Sequence, residues 1–215
     1  MIMKTVLFDL DGTIINTNPL IIASFKHTLE NYYPGKYTEE DIISFIGEPL
    51  ETSFQRVDEK RAQEMVEMYR KHNAEMHDEL VEQYDNIETT LQELTDKGII
   101  CGIVSTKTRV MVLRGLKLMK LDHFFDVVVT IDDVQFPKPN PEPLQLAMKA
   151  LHAEPSQTMM VGDSISDIQA AQNAGVVSVG VSWSIKGRAA LESAEPDYII
   201  DDMGELLDII HKQEK

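Results

Sequence analysis

The sequence predicts an α/β protein built on a doubly wound parallel sheet, with an all-helical block inserted near its start. Three observations carry that prediction. From about residue 86 onward, helical stretches alternate with short apolar runs, the pattern of strand and helix units in a parallel sheet. Residues 16–81 hold only helical periodicity and read as a separate block. Polar motifs stand at the ends of the apolar runs 5–8, 99–105 and 158–162, and in open parallel sheets ligands gather beyond the carboxyl ends of the strands.

Taken in order, Thr5-Val6-Leu7-Phe8 reads as a buried strand, and Gly12 marks a sharp turn or a close backbone approach. Asn16-Thr17-Asn18-Pro19 supplies capping residues and a proline suited to a first helical turn, which predicts a helix over 19–32. Tyr33-Pro34-Gly35-Lys36 breaks it. Thr38, with Asp41 three residues on, is a capping box that opens a short helix. Gly47-Glu48-Pro49 interrupts again, and two helices follow, the longer over 58–81. Next come a helix over 86–97 ending at Gly98, a strand over 99–105, a helix over 108–119 and a strand over 127–131. A helix from Pro141, a strand over 158–162, a helix over 166–174 ending at Gly175, and strands over 177–182 and 197–200 complete the pattern. The expected division is 1–15 with 82–215 for the sheet domain and 16–81 for the helical one, with hinges near 15–17 and 81–85. No internal repeat interrupts this scheme.

Composition narrows the function. With 215 residues, 43% hydrophobic and 26% charged, the chain is an ordinary globular one, long enough for a domain plus an insert. No stretch approaches the ~20 apolar residues of a membrane span. Met-Ile-Met-Lys runs directly into the first strand without the pattern of a signal peptide, so a cytoplasmic location is expected. The net charge of −16, with no Lys/Arg run interleaved with aromatics, argues against nucleic acid as a partner. Oligomeric state has no signature here. Cys101, the single cysteine, lies inside an apolar run and reads as a buried structural thiol. The eleven methionines read as adaptable core filler.

The chemistry gathers in four motifs. Phe8-Asp9-Leu10-Asp11-Gly12-Thr13 places two carboxylates two residues apart, on one side of an extended chain. At ~4 Å such charges repel by roughly 1–4 kcal/mol, so a cation is expected between them. Alone, Asp-Gly-Thr reads equally as a turn. Three further pieces appear downstream: Val104-Ser105-Thr106-Lys107, Lys138-Pro139-Asn140-Pro141, and Gly162-Asp163-Ser164-Ile165-Ser166-Asp167. In isolation Ser105-Thr106 is turn chemistry, Lys138 a solvated lysine, and the last piece an N-capped helix. Lys107 and Arg109 fit either a substrate contact or a solvated helix start.

Together and in this order, the four motifs resemble those of the haloacid dehalogenase-like (HAD) phosphohydrolases, over nearly the whole chain. The resemblance implies a Rossmann-like core with an inserted helical cap. It also implies Asp9 as a nucleophile forming an aspartyl phosphate, and Asp11 as the acid that protonates the leaving group and then the base that activates water. The second carboxylate favours phosphate hydrolysis, because dehalogenase members lack it. Ser105 and Thr106 would hold phosphate oxygens, and Lys138 would pair with both the phosphoryl group and Asp9. Asp9, the Asp11 carbonyl and Asp163, supported by Asp167, form an oxygen-rich set suited to Mg²⁺.

Within the family, the stretches Asn16 to Tyr37 and Phe45 to Leu50 resemble the PpaX-type inorganic pyrophosphatases of Gram-positive bacteria. Relatives that cleave phosphoglycolate usually carry an acidic residue where Asn16 stands. The resemblance therefore implies pyrophosphate as substrate, with a phosphatase of a small monoester such as phosphoglycolate, or a phosphosugar mutase, as alternatives. Residues 16–81 hold 7 Lys/Arg against 13 Asp/Glu, so a few placed side chains must meet the anion, with His27, Lys36 and Lys107 as candidates. His27 reads more readily as an ordinary helix residue, and Trp183 as packing after a strand.

Overall fold

A computed structural model describes residues 3–46 and 49–213. The interruption expected at Gly47-Glu48 lies outside the described residues. The chain divides into two compact units, Met1–Asn16 with Glu82–Lys215, and Thr17–Val81. Asn16, expected to open the insert, belongs to the first unit.

In that unit, β1 (Thr5–Phe8) is fully buried, as its apolar run requires. A two-residue strand, β2 (Ile15–Asn16), follows. The helical unit comes next, with α1 (Asn18–Tyr32), α2 (Glu39–Phe45), α3 (Leu50–Val57) and α4 (Ala62–Leu80). The chain returns through β3 (Glu82–Gln83), then α5 (Ile87–Asp96), β4 (Ile100–Val104), α6 (Arg109–Leu118), β5 (Val127–Val129) and α7 (Glu142–Leu151). It closes with β6 (Thr158–Gly162), α8 (Ile165–Ala174), β7 (Val177–Val181), α9 (Arg188–Glu192), β8 (Tyr198–Ile200) and α10 (Glu205–Gln213).

The six-stranded sheet runs β5-β4-β1-β6-β7-β8, with every pairing parallel. β1 is central, and the chain winds outward on one side before crossing to the other, so the switch in winding lies beside β1. Leu7, Val104, Val129 and Met160 from the strands pack with Leu144 and Ala171 from α7 and α8, which explains why the apolar runs read as continuous rather than alternating.

The segments at 15–17 and 81–85, expected as hinges, hold a short ribbon: β2 and β3 pair antiparallel, Ile15 with Gln83 and Asn16 with Glu82. Two residues are too few for any periodicity to register. The helix expected from residue 58 begins at Ala62 instead. Asp58 caps the end of α3, accepts a hydrogen bond from the Tyr33 hydroxyl at 2.6 Å and accepts the Lys60 amide at 3.0 Å, turning the chain before α4. Beyond the predicted elements, α9 and α10 follow the loops after β7 and β8.

The helical unit has its own core. Phe25 of α1 sits 5.6 Å from Phe45, 5.3 Å from Phe54 and 4.9 Å from Tyr69, ring centre to ring centre, within the range of favourable aromatic pairs. The box at Thr38 is formed, with the Asp41 amide donating to Thr38 Oγ1 at 3.2 Å and the Thr38 amide donating to Asp41 Oδ2 at 2.8 Å.

Candidate active site

The four motifs meet at the carboxyl ends of β1, β4 and β6. Asp9 extends β1, its amide donating to Val161 O at 2.9 Å, and Ser105 extends β4 in the same way onto Val129 O at 2.9 Å. These ladder bonds fix where both side chains start. After Asp9 the chain coils tightly: the amides of Thr13, Ile14 and Ile15 all donate to Leu10 O. Gly12 has a φ of +79°, and a Cβ there would collide with the Asp163 carboxylate. A Cβ on Gly162 would collide with Asp167. Both glycines therefore make room for carboxylates of the fourth motif.

Lys138 is buried at the centre. Its Nζ donates to Asp9 Oδ1 at 2.8 Å, to Asp167 Oδ1 at 2.6 Å and to Val104 O at 2.8 Å. The Lys138–Asp9 contact was among the implied roles; the Lys138–Asp167 pair was not. It joins side chains from segments 29 positions apart, and no spacing rule announces it. Asp167 is fully engaged, since its Oδ2 accepts from the Ser164 amide at 3.1 Å and the Ser164 hydroxyl at 2.6 Å. The capping reading of this motif is formed: Ser164 caps α8, and Asp167 closes the box while accepting from Lys138.

Charge accounting explains the local proton affinities. Asp9, Asp163 and Asp167 offer oxygens all within 4.8 Å of one another. One ammonium against three carboxylates leaves two negative charges uncompensated. Burial is the largest influence on Asp9 and pushes its carboxyl up to about 7; the Lys138 charge opposes this, and Asp167 and Asp11 add to it. Asp163 is raised for the same leading reason, with the Asp9 charge as the largest electrostatic contribution. Burial acts to lower Lys138, but the charges of Asp167 and Asp9 outweigh it and hold the ammonium above its ordinary value. The donor set is hard oxygen without sulfur or imidazole, and its uncompensated negative charge suits a hard divalent cation.

Asp11 faces a different partner. Its Oδ1 accepts from Lys107 Nζ at 2.7 Å. Each of the two carboxylates thus meets a lysine ammonium, Asp9 that of Lys138 and Asp11 that of Lys107. Ser105 is buried and its Oγ accepts the Lys107 amide at 3.2 Å, whereas Thr106 is exposed. Arg109 turns to the neighbouring loop, donating to Val128 O at 3.0 Å and Asp133 Oδ2 at 2.6 Å. In the helical unit, exposed His27 stacks on His72 at 4.3 Å, and Lys36 lies 4.8 Å above the Tyr33 ring. Burial pushes the Cys101 thiol up to about 12, which leaves it inert. Trp183 packs 5.8 Å from Tyr84. No helix among the described residues is long and apolar enough to cross a membrane.

Comparison with known proteins finds relatives over nearly the whole chain. The sequence profile of the haloacid dehalogenase-like hydrolases matches residues 6–181. The chain is 55% identical over 212 residues to Pyrophosphatase PpaX of Bacillus mycoides (strain KBAB4), covering 99% of each chain. Among solved structures, it resembles a hydrolase of the haloacid dehalogenase-like family from Streptococcus pneumoniae, with a TM-score of 0.86 and 25% identity over 96% of this chain and 98% of that one. A protein from Haemophilus somnus 129pt described as a predicted phosphoglycolate phosphatase aligns with a TM-score of 0.83 and 26% identity, covering 96% of this chain and 97% of that one.

Proposed function

This chain belongs to the haloacid dehalogenase-like hydrolase family, and from that premise we propose that it hydrolyses inorganic pyrophosphate to two phosphates through an aspartyl phosphate on Asp9. The observation that carries the chemistry is the seating of Asp9 at the end of β1 against Lys138, with Asp11 two residues on and Ser105 at the next strand end. The choice of pyrophosphate rests on the full-length PpaX relatives.

In the first step an Asp9 oxygen forms a bond to phosphorus while the bond to the bridging oxygen breaks; the electron pair goes to that oxygen, which takes a proton from Asp11. In the second step water attacks the acyl phosphate, Asp11 takes its proton, and Asp9 is regenerated. Lys138 stays fixed on Asp9 and Asp167 and keeps the nucleophile aimed. Ser105 and the Thr106 amide hold the oxygens of the transferring phosphoryl group. Asp9, Asp163 and the Asp11 carbonyl would hold Mg²⁺, with Asp167 as support; the ion would neutralise phosphoryl charge beside the nucleophile. The helical unit 17–81 serves as the cap that selects the substrate, and the protein acts in the cytoplasm.

A second reading, hydrolysis of phosphoglycolate, is favoured by the Haemophilus somnus fold relative. The test is phosphate release from pyrophosphate, phosphoglycolate and a hexose phosphate. Pyrophosphate should give the highest kcat/KM, with activity lost on chelation and restored by Mg²⁺. A ratio of pyrophosphate to phosphoglycolate at or below one overturns the substrate assignment. Full activity after exhaustive chelation overturns the metal assignment.

A further inference from the structure

Lys107 and Arg109 are equivalent candidates in the sequence, and the structure separates them. Arg109 is committed: its guanidinium holds Asp133 and Val128 O, and its amide donates to Asp132 Oδ2 at 2.8 Å. Among the described residues, the Lys107 ammonium rests on Asp11 alone. Its backbone is pinned on both sides, the amide donating to Ser105 Oγ at 3.2 Å and the carbonyl accepting the Ile131 amide at 3.2 Å. A rigid backbone thus carries a flexible, charged arm between the proposed phosphate-binding serine and the proposed general acid.

The exposure of this pair matters. Lys107 is 21% exposed and Asp11 24%, so water and a competing anion can reach both partners. Lys138, three times engaged and buried, has no such freedom.

We propose that Lys107 reads the charge of the leaving group. In the free protein it holds Asp11; when a substrate with an anionic leaving group binds, its ammonium passes from Asp11 to that leaving phosphate or carboxylate. Asp11 Oδ1 is then no longer occupied by the ammonium. The exchange itself makes and breaks no covalent bond. It replaces one charge-assisted hydrogen bond by another, which is stronger when the incoming anion carries more charge. A substrate whose leaving group is uncharged offers Lys107 nothing in exchange. The inference rests on the reading of Asp9 and Asp11 as nucleophile and acid, and deepens it by assigning leaving-group selectivity to a residue outside the helical unit.

The experiment compares kcat and KM for pyrophosphate, phosphoglycolate and p-nitrophenyl phosphate in the wild type, Lys107→Met and Lys107→Arg. The first two substrates have anionic leaving groups; the nitrophenyl group is uncharged before reaction and needs no proton. Lys107→Met should lower the ratio of kcat/KM for pyrophosphate over p-nitrophenyl phosphate at least about tenfold, chiefly through KM, the size expected for one charge-assisted contact. Lys107→Arg should recover most of that ratio. A fall in the ratio carried by kcat alone would mark Lys107 as a mere clamp on Asp11, because only p-nitrophenyl phosphate needs no proton from it, and would overturn the proposal, as would an unchanged ratio. Should the wild type fail to turn over pyrophosphate, the substrate assignment falls, and the ratio of phosphoglycolate to p-nitrophenyl phosphate then tests Lys107 by the same criterion. Lys107→Gln replaces the Met variant if the latter does not fold.

Discussion

Asp9 and Asp11 each meet a lysine at nearly the same distance, 2.8 Å to Lys138 and 2.7 Å to Lys107, but the two pairs sit in different dielectric surroundings. The Lys138 and Asp9 side chains are 3% and 10% exposed, against 21% and 24% for Lys107 and Asp11. Coulomb attraction at such a distance is several-fold larger in a protein interior than in water, and the buried pair is further locked by Asp167 and Val104 O. The comparison teaches that one ion-pair geometry serves two purposes: buried, it fixes a nucleophile; half-exposed, it holds an acid on a contact that can be exchanged.

The sharpest way to break this contrast is at the nucleophile. Asp9→Asn is expected to lower turnover by at least ~10⁴-fold and to abolish covalent labelling by phosphate, since removing a covalent catalytic group eliminates the pathway rather than weakening it. Retention of more than a trace of activity would remove Asp9 from the mechanism. Asp9→Asn also keeps the size of the side chain, so its stability can be measured.

Next in size is the buried lysine. Lys138→Met leaves three clustered carboxylates without their ammonium, a loss of about 3–5 kcal/mol by the usual cost of breaking a buried pair. Urea unfolding in metal-free buffer would measure it. A loss below 1 kcal/mol would mean that the cluster relaxes or hydrates freely.

A smaller effect follows from the elevated Asp9 carboxyl. Its value rises from 3.8 to about 7 in the folded protein, so the native state keeps a proton that the unfolded chain releases near pH 4. That contribution to stability is fully present below the lower value and is lost as pH rises through about 7. In chelator, Asp9→Asn should therefore melt above the wild type at pH 8, with the gap closing toward pH 5. Adding Mg²⁺ should raise the wild-type melting temperature more at pH 8 than at pH 5. A gap independent of pH would show that Asp9 does not titrate in this window.

The smallest effect belongs to the exposed pair. Lys107→Met should cost at most about 1 kcal/mol of stability, in line with solvent-accessible ion pairs. A loss as large as that of Lys138→Met would erase the distinction between the two pairs.

Much of this architecture was legible before any coordinates. Strands buried on both faces must be continuously apolar, so 5–8 and 158–162 were readable to the residue, and Gly98 and Gly175 marked helix ends because both adopt a positive φ. The β2–β3 ribbon escaped because pairing between two-residue segments 66 positions apart depends on the fold, not on local pattern. The residue types of the site, and their placement at strand ends, were likewise written in the chain. The family resemblance already implied Lys138 on Asp9, but nothing in the chain announced that Lys138 also holds Asp167 or that Lys107 reaches Asp11 across 96 positions. Sequence by itself determined the menu of charges and the strand ends that carry them. Tertiary structure alone decided these further pairings and the burial of the site, because the strength of a charge–charge contact depends on distance and surrounding dielectric, and both exist only once distant segments have packed.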